Sequence, residues 1–257
     1  MLESIKTAIL DTLFPPSCIG CGKSGALICP KCEGSLPRHL QPFCSLCTKP
    51  LPRIHTVSGQ PRLCARCVRS PLAIDGIRSA FIYDGAIRAG ILSLKYKGVR
   101  SLAEPLGKQL GSYLTNNSLP ADVIVPVPLH PRRMRERGYN QSALLARRVS
   151  EMSGLTILDK ALARIKDTPA QVRSASAEER RQNVQGAFQA LAEAVKGARI
   201  LVVDDVCTTG STLEACSLAL RAAGAKSVWG LTLAREGDGE GPRGKEGKRG
   251  DERKFPI

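Results

Sequence analysis

Aromatic side chains are scarce in this chain: one Trp, four Tyr and five Phe make up 4% of its 257 residues. That scarcity argues against a protein that grips nucleic acid chiefly by base stacking, since stacking platforms are built from aromatics. No stretch reaches the run of about eighteen apolar residues that a membrane-crossing helix needs, so no membrane span is expected. The start lacks a basic leader segment, a pure apolar stretch and a small-residue cleavage site. Residues 1–14 instead scatter Glu3, Lys6 and Asp11 among Ile9, Leu10, Leu13 and Phe14, and read as a short amphipathic helix. With nothing to send the protein outward, a cytoplasmic location is the default. No helix-turn-helix is recognisable, which counts against a sequence-reading regulator.

Positive charge, by contrast, is abundant. Lys and Arg number 38 against 23 Asp and Glu, a net charge of +15. A balance this basic points to anionic partners: phosphates, nucleic acid or an anionic surface. Hydrophobic residues, 42% of the chain, suffice for a packed core, and the length suits one ordinary domain plus a small one. Composition divides the chain into a Cys-, Pro- and Gly-rich zone at 15–70, a zone at 75–235 that alternates strand-like and helix-like patterns, and a Gly-rich charged tail at 236–257 with little to bury. Strand patterns at Ile77–Tyr83, Asp122–Pro126, Arg199–Val203 and Ser227–Leu233 alternate with helical ones at Gly85–Leu94, Leu102–Tyr113, Gln141–Met152 and Ser211–Ala223. A further helix starts near Glu178–Asn183. This alternation predicts an α/β fold with a mainly parallel sheet and helices on both faces.

The most specific chemistry lies at Ile200–Thr212. Four apolar residues run into Asp204 and Asp205, then Val206 and Cys207, then Thr208, Thr209, Gly210, Ser211 and Thr212 at the head of a helix. A helix N-terminus offers unpaired N–H groups and the positive end of its dipole. Small residues let a phosphate come close to those groups, and hydroxyls add donors. Two adjacent carboxylates beside a phosphate cradle make sense if the ligand carries a diol next to its phosphate. A 5-phosphoribosyl group does, and magnesium would bridge its diol to a pyrophosphate on C1. An acidic strand end followed by a helix cap would account for only part of this pattern.

A second constellation spans residues 122–141. A strand enters a turn stiffened by Pro126, Pro128 and Pro131, and then a basic loop with Arg132, Arg133, Arg135 and Arg137. Arginine forks suit phosphate oxygens, although a solvated basic loop has the same composition. His130 reads as an exposed polar residue, with a general-base role as the sharper alternative. The polar stretch from Leu162 to Phe188 is either a lid over the ligand or a surface loop.

Eight of the ten cysteines form four C-x-x-C pairs, Cys18/Cys21, Cys29/Cys32, Cys44/Cys47 and Cys64/Cys67, with gaps of seven, eleven and sixteen residues. In a reducing compartment such pairs are metal ligands rather than disulfides. Two knuckles complete a tetrahedral four-sulfur zinc site, so eight cysteines make two structural zinc sites. Redox motifs and an iron–sulfur cluster are the competing uses. Sequential pairing closes the shorter loops at less entropic cost than a cross-braced arrangement. His39 and His55 are available as substitute ligands but are not required. Cys207 and Cys216 read as small buried residues.

The Asp204–Thr212 segment resembles the signature of type I phosphoribosyltransferases. Val125–His130 with Arg137–Gln141, Lys95–Gly98, Lys166-Asp167-Thr168 with Gln171, Arg180 with Asn183, and the closing Ala234–Arg235 resemble the ComF/GntX family, competence-associated proteins with an N-terminal double zinc ribbon. The likeness runs from Cys18 to Arg235. It implies that Asp204 and Asp205 hold the ribose hydroxyls and that residues 208–212 hold the 5-phosphate of phosphoribosyl pyrophosphate. It further implies that the Pro-rich loop with Pro128 lies at the pyrophosphate position, where the forks of Arg132 and Arg137 suit phosphate oxygens, with Lys95 near the site and 164–180, which includes Lys166, as a flexible hood. Single-stranded DNA and other competence proteins follow as partners.

Overall fold

The computed structural model describes residues 15–39, 41–52, 62–167, 182–184 and 186–237. The helix expected at 1–14, His55, Thr168, Gln171, Arg180, most of the 164–180 hood and the tail beyond residue 237 lie outside them.

In chain order the strands are β1 (Gly76–Ile82), β2 (Val123–Pro126), β3 (Thr156–Ile157), β4 (Leu162–Arg164), β5 (Phe188–Ala190), β6 (Arg199–Cys207) and β7 (Ser227–Arg235). The helices are α1 (Pro30–Gly34), α2 (Ala65–Arg69), α3 (Gly85–Tyr96), α4 (Ala103–Asn116), α5 (Pro131–Arg137), α6 (Gln141–Ser153), α7 (Ala192–Val195) and α8 (Ser211–Ala222). Five strands form one sheet in the order β1-β7-β6-β2-β3, with every pairing parallel. β4 and β5 make a separate antiparallel pair.

The continuous apolar run of β6 follows from its place in the middle of this sheet. Ile200 and Val202 pack on one face with Leu213, Cys216 and Leu220 of α8. Leu201 and Val203 pack on the other with Ile87 and Ile91 of α3, Leu106 and Leu110 of α4, and Leu145 and Val149 of α6. With period-two side-chain alternation, a strand covered on both faces must be apolar at every position. The expected α/β sheet is therefore present, and no helix among the described residues is long and apolar enough to cross a membrane.

Two readings need correction. Residues 131–137 are not a loop but a helix. Pro131 occupies its first turn, where a missing N–H costs nothing; His130 Nδ1 accepts the Arg132 N–H at 3.3 Å; and Gly138 closes it in the left-handed region at φ 77°. Strand β6 does not stop at Val203 but runs through both aspartates to Cys207. Its partner β7 continues alongside, with Cys207 opposite Arg235. β3, β4 and β5, two or three residues each, are too short to show periodicity. Of the helix expected at Glu178–Asn183, residues 182–184 are described, and they are helical.

The cysteine-rich segment wraps the sheet on both sides. Cys18, Cys21, Cys29 and Cys32 gather in one cluster and Cys44, Cys47, Cys64 and Cys67 in another, which is the sequential pairing. Leu36, just after the first cluster, joins the α3–α4–α6 face. The second cluster is buried in the α8 face, where the Ile77 N–H of β1 donates to the Leu46 carbonyl at 2.7 Å and the Thr48 hydroxyl donates to the Ile77 carbonyl.

Candidate functional site

Because the strands are parallel, the carboxyl ends of β1, β7, β6 and β2 share one edge, the usual ligand edge of an open α/β sheet. Asp204 and Asp205 sit there, 8% and 3% exposed. Asp204 Oδ1 accepts from the Ser142 hydroxyl at 2.8 Å and from the Asp205 N–H at 2.9 Å. Asp205 Oδ2 lies 2.7 Å from Lys95 Nζ, and its Oδ1 accepts the Val206 N–H at 2.8 Å. Burial, and then the neighbouring Asp205 charge, push the Asp204 carboxyl up to about 7. For Lys95, burial works to lower the pKa, but the two aspartates outweigh it and hold the ammonium above its ordinary value.

Beyond Cys207 the chain turns through Thr208, Thr209 and Gly210 into α8. Thr208, Thr209 and Thr212 are half-buried, while Gly210 and Ser211 are buried. Gly210 has φ 84°, and a Cβ there would stand 3.0 Å from Leu72 Cδ1 and 3.1 Å from Ile77 Cδ1, so both conformation and space call for glycine. The Thr209 hydroxyl pairs with that of Ser211 at 2.8 Å and accepts the Ser211 N–H at 3.3 Å. Three side chains brace the loop from outside. Arg66 donates to the Thr209 carbonyl. Buried Arg235 donates to Cys207 Sγ at 3.0 Å. Glu214 Oε1 accepts the Ala73 N–H at 3.1 Å.

The Pro-rich turn leaves β2 beside this loop, with the Val127 N–H bonded to the Val203 carbonyl at 2.9 Å. Asn140 ties the turn to α6. Its Nδ2 donates to the Val127 carbonyl at 2.9 Å, while its Oδ1 caps α6 through the Ser142 N–H at 3.0 Å. The same cap thereby sets Ser142 against Asp204. A cavity of 310 Å³ is lined by Lys95, the partner of Asp205, with Tyr96, Arg133, Glu136 and Arg137. Arg137 donates to Gln141 Oε1 and lies 5.7 Å from the centre of the Tyr96 ring.

Of the residues singled out from sequence, Lys95 meets Asp205 directly, and Lys95 and Arg137 line one cavity. Pro128 is half-buried in the turn. Arg132, 67% exposed, is held by Glu136 at 3.0 Å and Asp167 at 3.6 Å. Lys166 is exposed just past β4. His130 caps α5, with its Nδ1 3.5 Å from Asp167 Oδ1. Sequence reasoning missed Ser142 and Arg66. They lie 62 and 143 residues from the groups they touch, and no local pattern marks either one.

The geometry of the cysteine clusters fits zinc. A tetrahedron with metal–sulfur bonds of about 2.3 Å has edges of about 3.8 Å. The Cys21–Cys29 and Cys47–Cys64 sulfurs are 3.7 and 3.8 Å apart, and within each cluster all four sulfurs lie within 4.8 Å. The Cys29 N–H points at Cys18 Sγ from 3.3 Å, the kind of outer-shell donor that steadies a thiolate. Both clusters are thus consistent with zinc.

Comparisons with known proteins agree with this picture. Residues 136–257 match the phosphoribosyl transferase domain, and residues 9–68 match the double zinc ribbon domain. Competence protein F of Haemophilus influenzae is 41% identical over 117 residues, which is 44% of this chain and about half, 51%, of that protein's length. DNA utilization protein YhgH of Salmonella typhi is 32% identical over 205 residues, covering 74% of this chain and 89% of the relative. Competence protein ComFC of Bacillus subtilis is 26% identical over 212 residues, covering 81% and 84%. With both domains matched in order and 32% identity over 89% of the Salmonella typhi relative, the chain belongs to the ComF/GntX family of phosphoribosyltransferase-like proteins with an N-terminal double zinc ribbon.

Proposed function

We propose that the chain binds phosphoribosyl pyrophosphate with magnesium at the β6–α8 loop and acts in the handling of incoming DNA. The observation that carries the ligand reading is the juxtaposition of two buried carboxylates with a small-residue loop at the N-terminus of α8. The loop's N–H and hydroxyl groups receive the 5-phosphate. Asp204 and Asp205 accept from the two ribose hydroxyls. The basic cavity beside Lys95, with Arg133 and Arg137, takes the pyrophosphate. Two carboxylates at one strand end are a hard-oxygen donor set that suits magnesium, which when bound neutralises charge on the pyrophosphate. Should the site turn over, Asp204 and Asp205 stabilise positive charge building on the ribose as the C1–pyrophosphate bond breaks and a nitrogen nucleophile bonds to C1. Relatives named for competence and DNA utilization support the biological setting.

A second reading keeps the site as a non-catalytic ligand site on a single-stranded-DNA-binding factor. It is favoured by the exposed arginines of α5 and by Tyr96, 72% exposed beside Arg137. With so few aromatics, such binding rests mostly on phosphates and falls steeply with salt.

Calorimetric titration of phosphoribosyl pyrophosphate and magnesium into the zinc-loaded chain tests the first reading. Saturable binding that an Asp204→Ala/Asp205→Ala variant loses is the expected result. Heat that is the same in both proteins overturns it.

A further inference from the structure

The phosphate loop is braced from the second cysteine cluster, 143 residues away in sequence. Arg66 lies inside the Cys64-x-x-Cys67 knuckle, on α2, and both flanking cysteines are buried, at 4% and 1% exposure. Its guanidinium donates to the Thr209 carbonyl. Two further contacts come from the segment that follows. Leu72 Cδ1 stands 3.0 Å from where a Gly210 Cβ would be, and the Ala73 N–H bonds to Glu214 in the first turn of α8.

A trans peptide is planar, with its C=O and N–H pointing in opposite directions. Fixing the Thr209 carbonyl on the Arg66 side therefore fixes the Gly210 N–H on the other. Glycine at φ 84° imposes little barrier of its own, because it populates both halves of φ space. Without an external hold, the 209–210 peptide can flip and present a carbonyl oxygen where an anion needs a donor. We infer that Arg66 is a positioning residue: it locks this peptide in the donor-out state, and it couples the metal-bound state of the Cys44/Cys47/Cys64/Cys67 cluster to the shape of the phosphate loop. The inference rests on reading that loop as the 5-phosphate cradle, but the lock itself is a property of the ligand-free chain. Metal in the second cluster holds α2, α2 holds Arg66, and Arg66 holds the loop. The coupling is reciprocal, so a ligand in the loop raises the affinity of that cluster for its metal.

Three full-length variants test it: Arg66→Ala, Arg66→Lys, which keeps a charged donor, and Arg69→Ala, which removes an exposed arginine from the same helix. The readouts are amide hydrogen exchange across residues 207–214 without ligand, zinc per chain, and affinity for phosphoribosyl pyrophosphate with magnesium. In Arg66→Ala the loop amides exchange faster, the rest of the sheet is unchanged, zinc stays at the parental level, and affinity falls about tenfold, as expected for losing one charged hydrogen bond. Arg66→Lys recovers part of both effects, and Arg69→Ala matches the parent. Loop exchange in Arg66→Ala equal to that in Arg69→Ala overturns the inference. Faster exchange throughout the sheet, or lost zinc, overturns it as well, because Arg66 would then hold the fold rather than the loop. A parent that does not bind the ligand, with the loop still loosened in Arg66→Ala, leaves the lock standing and removes the ligand reading instead.

Discussion

Replacing Asp204 with Asn should make the protein more stable, by an amount that grows from about pH 4 to about pH 7. The side chain is almost fully buried, and burial with the Asp205 charge raises its carboxyl from the ordinary 3.8 to about 7. In the unfolded chain this group ionises near pH 4, but in the folded chain only near pH 7. The unfolded state therefore gains on the folded one as pH rises between those values, and the penalty is complete above about pH 7. Each factor of ten in a proton equilibrium is worth about 1.4 kcal/mol, so the ceiling is about 4 kcal/mol. Asn keeps an Oδ1 to accept from Ser142 and the Asp205 N–H but carries no charge. A gain of about 2–4 kcal/mol at pH 8, or roughly 5–10 °C in Tm for a domain of this size, is expected. At pH 5 the gap should shrink to about 1–2 kcal/mol, and it should close near pH 4. Thermal unfolding followed by circular dichroism at pH 5, 6, 7 and 8 measures it. A variant no more stable than its parent at pH 8, or a gap independent of pH, refutes the reasoning. A confirmed gap would mark a group kept at a cost to stability, the usual sign of a functional residue.

Gly210→Ala should lower Tm by several degrees. The left-handed conformation alone costs about 1–2 kcal/mol, and the added methyl presses on Leu72 and Ile77. Lys95→Met leaves Asp205 buried without its 2.7 Å partner, and denaturant unfolding should show a loss of about 1–3 kcal/mol. Elemental analysis should find two zinc ions per chain. Cys47→Ser, in the fully buried cluster packed into the sheet core, should destabilise the whole domain in thermal unfolding, whereas Cys21→Ser, the exposed cysteine of the other cluster, should act locally.

The parallel sheet, the two cysteine clusters and the β6–α8 loop were legible in the sequence because each is written in consecutive residues. A buried strand must be apolar throughout, a zinc knuckle needs its two-residue gap, and a phosphate loop needs small residues at a helix start. Lys95 was reachable only through family resemblance, since its pairing with Asp205 depends on where α3 ends relative to β6. Ser142 and Arg66 left no trace, because long-range contacts depend on how elements pack. The α5 helix is hidden for a different reason. Its arginines and flanking Pro131 and Gly138 suit a solvated loop equally well, and the His130 cap that favours the helix is an unusual one. The true end of β6 is hidden because two aspartates look like a boundary, although their backbone stays in register with β7.

The central claim, that the carboxylates and the loop together hold a 5-phosphoribosyl group, is tested most directly by a crystal structure of the zinc-loaded chain with phosphoribosyl pyrophosphate and magnesium. The account predicts the 5-phosphate against the N–H groups of residues 208–212, the ribose hydroxyls on Asp204 and Asp205, and the pyrophosphate toward Lys95 and Arg137. A ligand seated away from Asp204 and Asp205, or bound with its pyrophosphate in the 208–212 loop, would contradict it.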